Sequence, residues 1–184
     1  MILILFGLFI AFVTVILFLI LCVMFIVSLI RKKPLPKKML IATLSGVVIT
    51  SLVYFYETYF FTFNDIDRTY MQEGPGPVMS PSEKYSAHAY YEPYGGAAGG
   101  VNVWVEVTNK KEDHVQIVYY ADAKDQFSLE WRDDETLFIL NDDPQFPNSN
   151  RSIELKVEKE IYHEFGRACK SLLMKDEYER CYHN

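Results

Sequence analysis

The chain has 184 residues, half of them hydrophobic, and a formal net charge of −6 at pH 7. This acidic balance argues against nucleic-acid binding, because such binding needs Lys and Arg side chains that replace the counterions of the phosphate backbone. The four histidines and three cysteines show none of the spacings that mark a metal site or a Cys-x-x-Cys redox centre, so we expect no bound metal and no cofactor.

Two long uncharged stretches dominate the start of the sequence. Residues 1–30 contain no Asp, Glu, Lys or Arg, and residues 39–56 contain none either. Because a helix needs about 20 mostly apolar residues to cross a membrane, the sequence predicts one transmembrane helix over 1–30 and another over 39–63. The second ends in a run of aromatic residues, which favour the membrane interface. The first is longer than the apolar core of a signal peptide, so we expect it to be retained.

Small residues in both stretches indicate close helix packing. Gly7 and Ala11 are four residues apart, and so are Ala42 and Gly46. This spacing lets two helices approach closely, and the short connection between the stretches favours an antiparallel hairpin. Neither stretch contains an ionisable residue that would indicate an ion or proton path.

The connection at residues 31–38 determines the predicted topology. Its positively charged residues are Arg31, Lys32, Lys33, Lys37 and Lys38. Short loops rich in Lys and Arg stay on the cytoplasmic side of a membrane. We therefore expect a cytoplasmic loop, with both termini outside and the polar part of the chain extracytoplasmic. That part, residues 64–184, holds 23 Asp and Glu against 13 Lys and Arg, a balance of −10.

The polar part predicts a linker followed by a small β domain. Residues 64–80 contain Gly-Pro-Gly-Pro and no apolar periodicity, which is typical of a linker or an extended arm. Within 81–184 the clearest strand is Val101–Val107, where valines alternate with more polar residues and Trp104. Further alternating runs are joined by short polar turns, which favour an antiparallel meander of five or six strands. The predicted fold class is a membrane-anchored α+β protein: a transmembrane helix hairpin, a small antiparallel sheet and a short C-terminal helix.

The end of the chain is compatible with two interpretations. Ile161, Phe165, Cys169 and Leu172 fit helical spacing, but Gly166 interrupts it. Alternatively, the last strand runs to about Tyr162, and a shorter helix follows from Arg167. The second interpretation is the one we favour slightly.

Several segments carry a resemblance to known proteins. Ser80–Ala87 resembles the turn and strand that open a β-propeller blade, and Trp131–Ile139 resembles the second hairpin of such a blade. The region is too short for a closed propeller, so the resemblance implies an open, blade-like sheet. Together with the two spans, Tyr90–Gly100 and Asn148–Leu155 resemble a family of small uncharacterised membrane proteins from Bacillus-like bacteria. That resemblance implies a plasma-membrane location and no known activity.

Candidate chemistry in the polar part is sparse. Gly95–Gly100 lacks the Lys-Ser or Lys-Thr of a phosphate loop and is typical of a hairpin connection. The acidic turns at Asp133–Glu135 and Asn141–Asp143 offer oxygen ligands for Ca²⁺, but Asp and Asn are also favoured in turns for their own backbone hydrogen bonds. No catalytic set of residues is evident, so we expect a protein that is not an enzyme.

Cys169 and Cys181 are the two cysteines of the polar part. An even pair on the oxidising side of a membrane favours a disulfide. Two free thiols, one buried and one exposed, are an equally good interpretation of the sequence.

The sequence therefore predicts a multi-pass plasma-membrane protein whose extracytoplasmic β module binds a protein or cell-envelope partner, or steadies a membrane complex. Besides the lipid bilayer, that partner is unknown. The candidate contact surface consists of Tyr90, Tyr91, Tyr94 and Trp104, because aromatic residues dominate binding hot spots; packing in the sheet is the alternative for these residues. The alternative functions are an ion-dependent sensor or enzyme that uses the acidic turns, and an immunity-type membrane protein.

Overall fold

The computed structural model describes residues 2–32, 34 and 36–184. Met1, in the first predicted span, and Lys33, in the predicted basic loop, lie outside the described residues. The chain forms two compact units, Met1–Phe60 and Phe61–Asn184. Each unit has its own packing.

The first unit consists of two long apolar helices, α1 (Ile2–Arg31) and α2 (Lys37–Tyr59). Both are long and apolar enough to cross a membrane, and only 6 % of the most apolar part of each is buried. The second helix ends at Tyr59, four residues before the predicted end of the second span. Its last turns carry the expected aromatic rings, with Phe55 against Tyr59 at 4.7 Å between ring centroids.

The two helices pack where the sequence offers small residues. A Cβ atom at Gly7 would lie 2.7 Å from Cγ1 of Val53, and one at Gly46 would overlap the side chain of Thr14. Thr14 is buried, and its hydroxyl donates to the carbonyl of Ile10 within its own helix. The predicted close approach therefore occurs at Gly7 and Gly46.

The second unit is built from two β-sheets. β1, β2, β3, β4, β5, β9 and β10 form a seven-stranded sheet, and β6, β7 and β8 form a three-stranded sheet. The strands are β1 (Gln72–Glu73), β2 (Val78–Met79), β3 (Tyr85–Tyr94), β4 (Gly100–Asn109), β5 (His114–Asp122), β6 (Gln126–Trp131), β7 (Thr136–Asp142), β8 (Ile153–Lys156), β9 (Glu160–His163) and β10 (Arg180–Tyr182).

The predicted antiparallel meander is confirmed only in part. β3, β4 and β5 are antiparallel neighbours, and so are β6, β7 and β8. However, β9 runs parallel to β5, and β10 runs parallel to β9. Parallel neighbours need a long crossover, and here the whole three-stranded sheet lies between β5 and β9 along the chain. After β9 a single helical turn, α3 (Arg167–Lys170), follows, as the second interpretation of the tail predicts.

The first hydrophobic core lies between the two sheets. The valines of β4 that alternate in the sequence, Val103, Val105 and Val107, contribute to it from the seven-stranded sheet. Leu137, Ile139 and Leu155 contribute from the three-stranded sheet. Their burial follows from the period of two along a strand, which places alternate side chains on the same face.

A second hydrophobic core covers the opposite face of the seven-stranded sheet. Trp104 and Ile161 come from the sheet itself, whereas Phe63 and Ile66 come from the chain that precedes it. Part of residues 64–80 is therefore packed on the sheet, which fits an extended arm better than a free linker. The short strands β1 and β2 also pair with β3 in this region. These contacts could not be predicted from the sequence, because each involves only one or two residues, too few to produce a periodic pattern.

The two blade-like segments fall in different sheets. Ser80–Ala87 leads into β3 of the seven-stranded sheet, whereas Trp131–Ile139 spans the turn between β6 and β7. They do not form one blade together. Glu83, in the turn before β3, has a φ of 58°, a backbone region that favours glycine.

We expect Gly46→Ile to destabilise the helix hairpin by about 1 to 3 kcal/mol, the usual cost of overfilling a packed interface. The loss should occur although Ile is a better helix former than Gly. Unfolding of the detergent-solubilised chain by a harsher detergent, followed by helical circular dichroism, measures it. Val48→Ile, at an exposed position of the same helix, is the control. Equal stability of the two variants would contradict close packing at Gly46.

Candidate functional site

The four aromatic residues of the predicted contact surface lie in β3 and β4 but do not share one face. Trp104 is fully buried (0 % exposed) in the second core, where its ring stacks with that of Tyr90 at 5.7 Å between centroids. Tyr91 packs against the first core. The prediction that Trp104 is a contact residue is therefore wrong, because its side chain is covered by residues from distant parts of the chain.

Tyr94 is the exposed member of this aromatic set. It lies at the end of β3, where 42 % of the residue is accessible to solvent. Its hydroxyl donates to Oδ1 of Asp122 at 3.0 Å. Burial of part of the side chain raises the pKa of Tyr94, so this hydroxyl remains a neutral donor. Of the four predicted contact residues, Tyr94 is the most exposed.

Tyr94 belongs to a polar group at one end of the two sheets, which we call the loop-end cluster. Its members are Tyr94, Tyr119, Asp122, Asn141, Arg151 and Glu164.

The centre of the loop-end cluster is a buried ion pair. Nε of Arg151 lies 2.6 Å from Oε1 of Glu164, and the two side chains are only 13 % and 7 % exposed. The other carboxylate oxygen of Glu164 accepts the backbone N–H of Asp122 at 2.8 Å. Burying charges is costly unless they are paired and hydrogen-bonded. This geometry satisfies both requirements, so the pair fixes the chain after β9 against the end of β5.

Asn141 joins the two sheets within the same cluster. Its fully buried side chain donates to the hydroxyl of Tyr119 at 2.7 Å and to the carbonyl of Asp122 at 2.8 Å. Its Oδ1 accepts the backbone N–H of Lys124 at 2.8 Å. Burial raises the pKa of Tyr119, which keeps its hydroxyl available as a donor to the carbonyl of Arg151. The donors and acceptors of these groups pair with one another, so the loop-end cluster connects the two sheets by hydrogen bonds.

His163 occupies a different environment, inside a cage of aromatic rings. It is 1 % exposed, and neither ring nitrogen has a hydrogen-bond partner among the described residues. Its ring lies 5.0 Å from those of Phe61 and Tyr120 and 6.2 Å from those of Phe63 and Phe165. Burial lowers the pKa of His163 to about 4. The imidazole is therefore a neutral packing group at physiological pH.

Cys169 and Cys181 form a disulfide that joins α3 to β10. Their Cα atoms are 5.3 Å apart, within the usual range for a disulfide. The structure thus contains the bridged alternative of the two that the sequence left open. Cys181 also packs against the second core, so the disulfide secures the tail over that core.

The acidic turns use their carboxylates for local hydrogen bonds. Oδ1 of Asp133 accepts the backbone N–H groups of Glu135 and Thr136, at 2.8 and 2.7 Å. The hydrogen bond from the Glu135 backbone is the main cause that lowers the pKa of Asp133. Oδ1 of Asp143 accepts the N–H of Gln145 in the same way. In the part of the chain that the structure describes, no group of three His, Cys, Asp or Glu side chains is arranged to hold a metal ion.

The glycine-rich segment connects β3 to β4 as a hairpin. Gly95 and Gly96 have φ values of 76° and 65°, which glycine adopts at little cost. A Cβ atom at Gly99 would overlap the carbonyl of Tyr94. The glycines are therefore explained by the tight path of the chain next to Tyr94.

Sequence reasoning did not single out the ion pair or the caged histidine. All five residues of Glu160–Glu164 are buried, but their polar composition gives no apolar signal for a central strand. Arg151 lies in Asn148–Leu155, a segment that carries the family resemblance, and this was the available signal for the loop-end cluster. Glu164 reaches the loop-end cluster only because the crossover from the three-stranded sheet returns the chain to β5.

Comparison with known proteins identifies one match. A model of a family of unknown function, DUF5412, matches residues 33–164. No curated protein matches the chain, and no solved structure does. The matched region includes α2, both sheets up to β9, and Glu164 of the ion pair, and it ends before α3 and β10.

We expect the free energy of unfolding of the β domain to fall as the pH is lowered from about 6.5 to about 4. Over this range the imidazole of His163 is protonated in the unfolded state but stays neutral in the folded state. This contribution is fully present above the unfolded pKa of 6.5, and its loss is of the order of 3 kcal/mol. His163→Phe should remove this part of the pH dependence. Denaturant unfolding followed by tryptophan fluorescence measures it.

His114→Gln, at an exposed position of β5, is the matched control and should retain the pH dependence of the natural chain. If the stabilities of His163→Phe and His114→Gln fell in parallel between these pH values, the burial of a neutral imidazole at position 163 would be contradicted.

Proposed function

The chain belongs to DUF5412, a family of unknown function, and we propose that it is a membrane-anchored protein with an extracytoplasmic, non-catalytic β module. The module binds a partner or stabilises a membrane complex. The observation that carries this proposal is the first unit: two long helices that expose nearly all of their apolar side chains. Water would oppose such exposure, whereas the hydrocarbon core of a bilayer favours it.

The charge of the loop between α1 and α2 supports an orientation with this loop in the cytoplasm and the β domain outside. Arg31, Lys32, Lys37 and Lys38 are exposed at the described ends of α1 and α2. A short basic loop favours the cytoplasmic side, which puts the β domain on the other side. The disulfide between Cys169 and Cys181 supports the same orientation independently, because disulfides persist in oxidising compartments and are rare in the cytosol. The resemblance to membrane proteins of Bacillus-like bacteria favours the plasma membrane as the location.

The chemistry of the domain supports a binding role over a catalytic one. In the loop-end cluster, Arg151 is paired with Glu164, and the carboxylate of Asp122 accepts the hydroxyl of Tyr94. His163 is buried among aromatic rings. Neither arrangement presents a nucleophile or a proton-transfer group to a cavity. Tyr94, in contrast, offers an exposed ring beside the glycine hairpin, which suits contact with a protein or cell-envelope partner.

Thiol labelling on intact cells tests the orientation. In a Cys22→Ser background, only Cys169 and Cys181 can react. We expect a membrane-impermeant maleimide to label them on intact cells after treatment with an impermeant reductant, and not before it. Labelling that requires lysis of the cells would place the domain in the cytoplasm and overturn the proposal.

The matched control carries its one cysteine in the loop. With all three natural cysteines replaced by Ser, Pro34→Cys places a thiol between the basic residues. It should react only after lysis. Labelling of Pro34→Cys on intact cells would show the opposite orientation, whereas labelling of the domain without prior reduction would keep the orientation and contradict the disulfide.

A further inference from the structure

One segment of the acidic β domain is basic and apolar. Between Phe165 and Lys175 there are three basic residues and no acidic one, although the domain as a whole is strongly acidic. The exposed side chains of this segment, which we call the basic–apolar patch, are Phe165, Arg167, Lys170, Leu172, Leu173 and Lys175. None of its basic residues forms an ion pair with any described residue.

The patch lies beside the start of the domain. Oγ of Ser171 donates to the carbonyl of Phe61 at 2.6 Å, and Leu172 and Leu173 follow Ser171 directly. At the other end of the patch, Phe165 contacts the ring of His163, which also contacts Phe61. Phe61 is the first residue of the second unit and directly follows the apolar helix unit in the chain. If α2 crosses a membrane, chain connectivity therefore keeps the patch close to the bilayer surface.

The exposure of the patch is built into the fold. Ala168 and Met174 are buried in the second core, and the hydroxyl of Tyr178 donates to the carbonyl of Ala168 at 2.8 Å. The disulfide of Cys169 holds the same turn to β10. With these inward-facing residues fixed, Leu172 and Leu173 remain 53 % and 54 % exposed. Such a pair of exposed leucines between cationic side chains calls for a partner that is both apolar and anionic.

We propose that the basic–apolar patch binds the surface of an anionic lipid bilayer: Leu172, Leu173 and Phe165 enter the headgroup boundary, while Arg167, Lys170 and Lys175 contact lipid phosphates. This rests on the membrane anchoring proposed above. Apolar side chains flanked by Lys and Arg are the composition that favours the interface of anionic membranes. The effect is to hold one face of the domain against the membrane and leave Tyr94 and the glycine hairpin as a separate contact region.

Tryptophan quenching in vesicles tests the proposal with the full chain. Leu172→Trp and Leu173→Trp are reconstituted in phosphatidylcholine–phosphatidylglycerol vesicles whose acyl chains are brominated near the headgroups. Val115→Trp is the matched control, because Val115 is also 53 % exposed and lies on β5 next to the β4–β5 turn, where two Lys balance two acidic residues. The chain without an added Trp gives the background from Trp104 and Trp131. We expect strong quenching at 172 and 173 and none above background at 115.

Charge removal tests the role of the basic residues. The double variant Arg167→Gln/Lys170→Gln should lower the bound-to-unbound ratio of the patch about twenty-five-fold, at about fivefold for each cation near an anionic surface. Lys110→Gln/Lys111→Gln, which removes two exposed cations from the β4–β5 turn, should change nothing. Equal quenching in vesicles of phosphatidylcholine alone would overturn the electrostatic part of the proposal.

An added Trp in the anchor separates the two proposals. Val48→Trp, in α2, should be quenched by lipids brominated deep in the acyl chains. If Val48→Trp is quenched and the Leu172 and Leu173 variants are not, the anchor stands and the patch proposal fails. If Val48→Trp is not quenched either, membrane anchoring fails. Shielding of positions 172 and 173 that depends on protein concentration and not on brominated lipid would assign the patch to a second copy of the chain and overturn the proposal.

Discussion

The β domain depends on how the second face of its seven-stranded sheet is covered. Trp104 and Ile161 place large apolar side chains on that face, opposite the core shared with the three-stranded sheet. A sheet that is apolar on both faces must be covered on both. Phe63 and Ile66 cover it from the start of the domain, and Met174 covers it from the other end of the chain. The second core is thus covered by chain segments from the start and the end of the domain, and not by a third layer of regular structure.

This closure links the start of the β domain, the aromatic cage of His163 and the C-terminal tail. The compact β unit begins at Phe61. The same segment supplies two rings of the cage around His163, while the disulfide of Cys169 and Cys181 fixes the tail that lies over the core. The exposed basic and apolar side chains of the tail follow from this arrangement, because burial of one side of the tail leaves the other side outside.

The sequence predicted features that depend on local periodicity and missed those that depend on distant partners. The valines of β4 alternate over a short distance, so both the strand and its buried face were predictable, and the apolar helices followed from composition alone. Trp104 was assigned to a surface because nothing near it in the sequence shows that Phe63 and Ile66 cover its face. The burial and pairing of β9 were more difficult to predict. Glu160 and His163 are polar residues in a buried strand, and the three strands of the other sheet separate β9 from its neighbour β5 in the sequence.

Replacement of Phe63 in the full-length chain tests the closure of the second core most directly. We expect Phe63→Ala to lower the unfolding free energy of the β domain by about 3 to 5 kcal/mol, as for a buried Phe in a packed core, when denaturant unfolding is followed by tryptophan fluorescence. The folded variant should also show a red-shifted Trp104 emission. Phe146→Ala, at a position that is 64 % exposed, should change little. If the two variants were equally stable, that result would contradict the closure of the second core by the segment after the apolar helices.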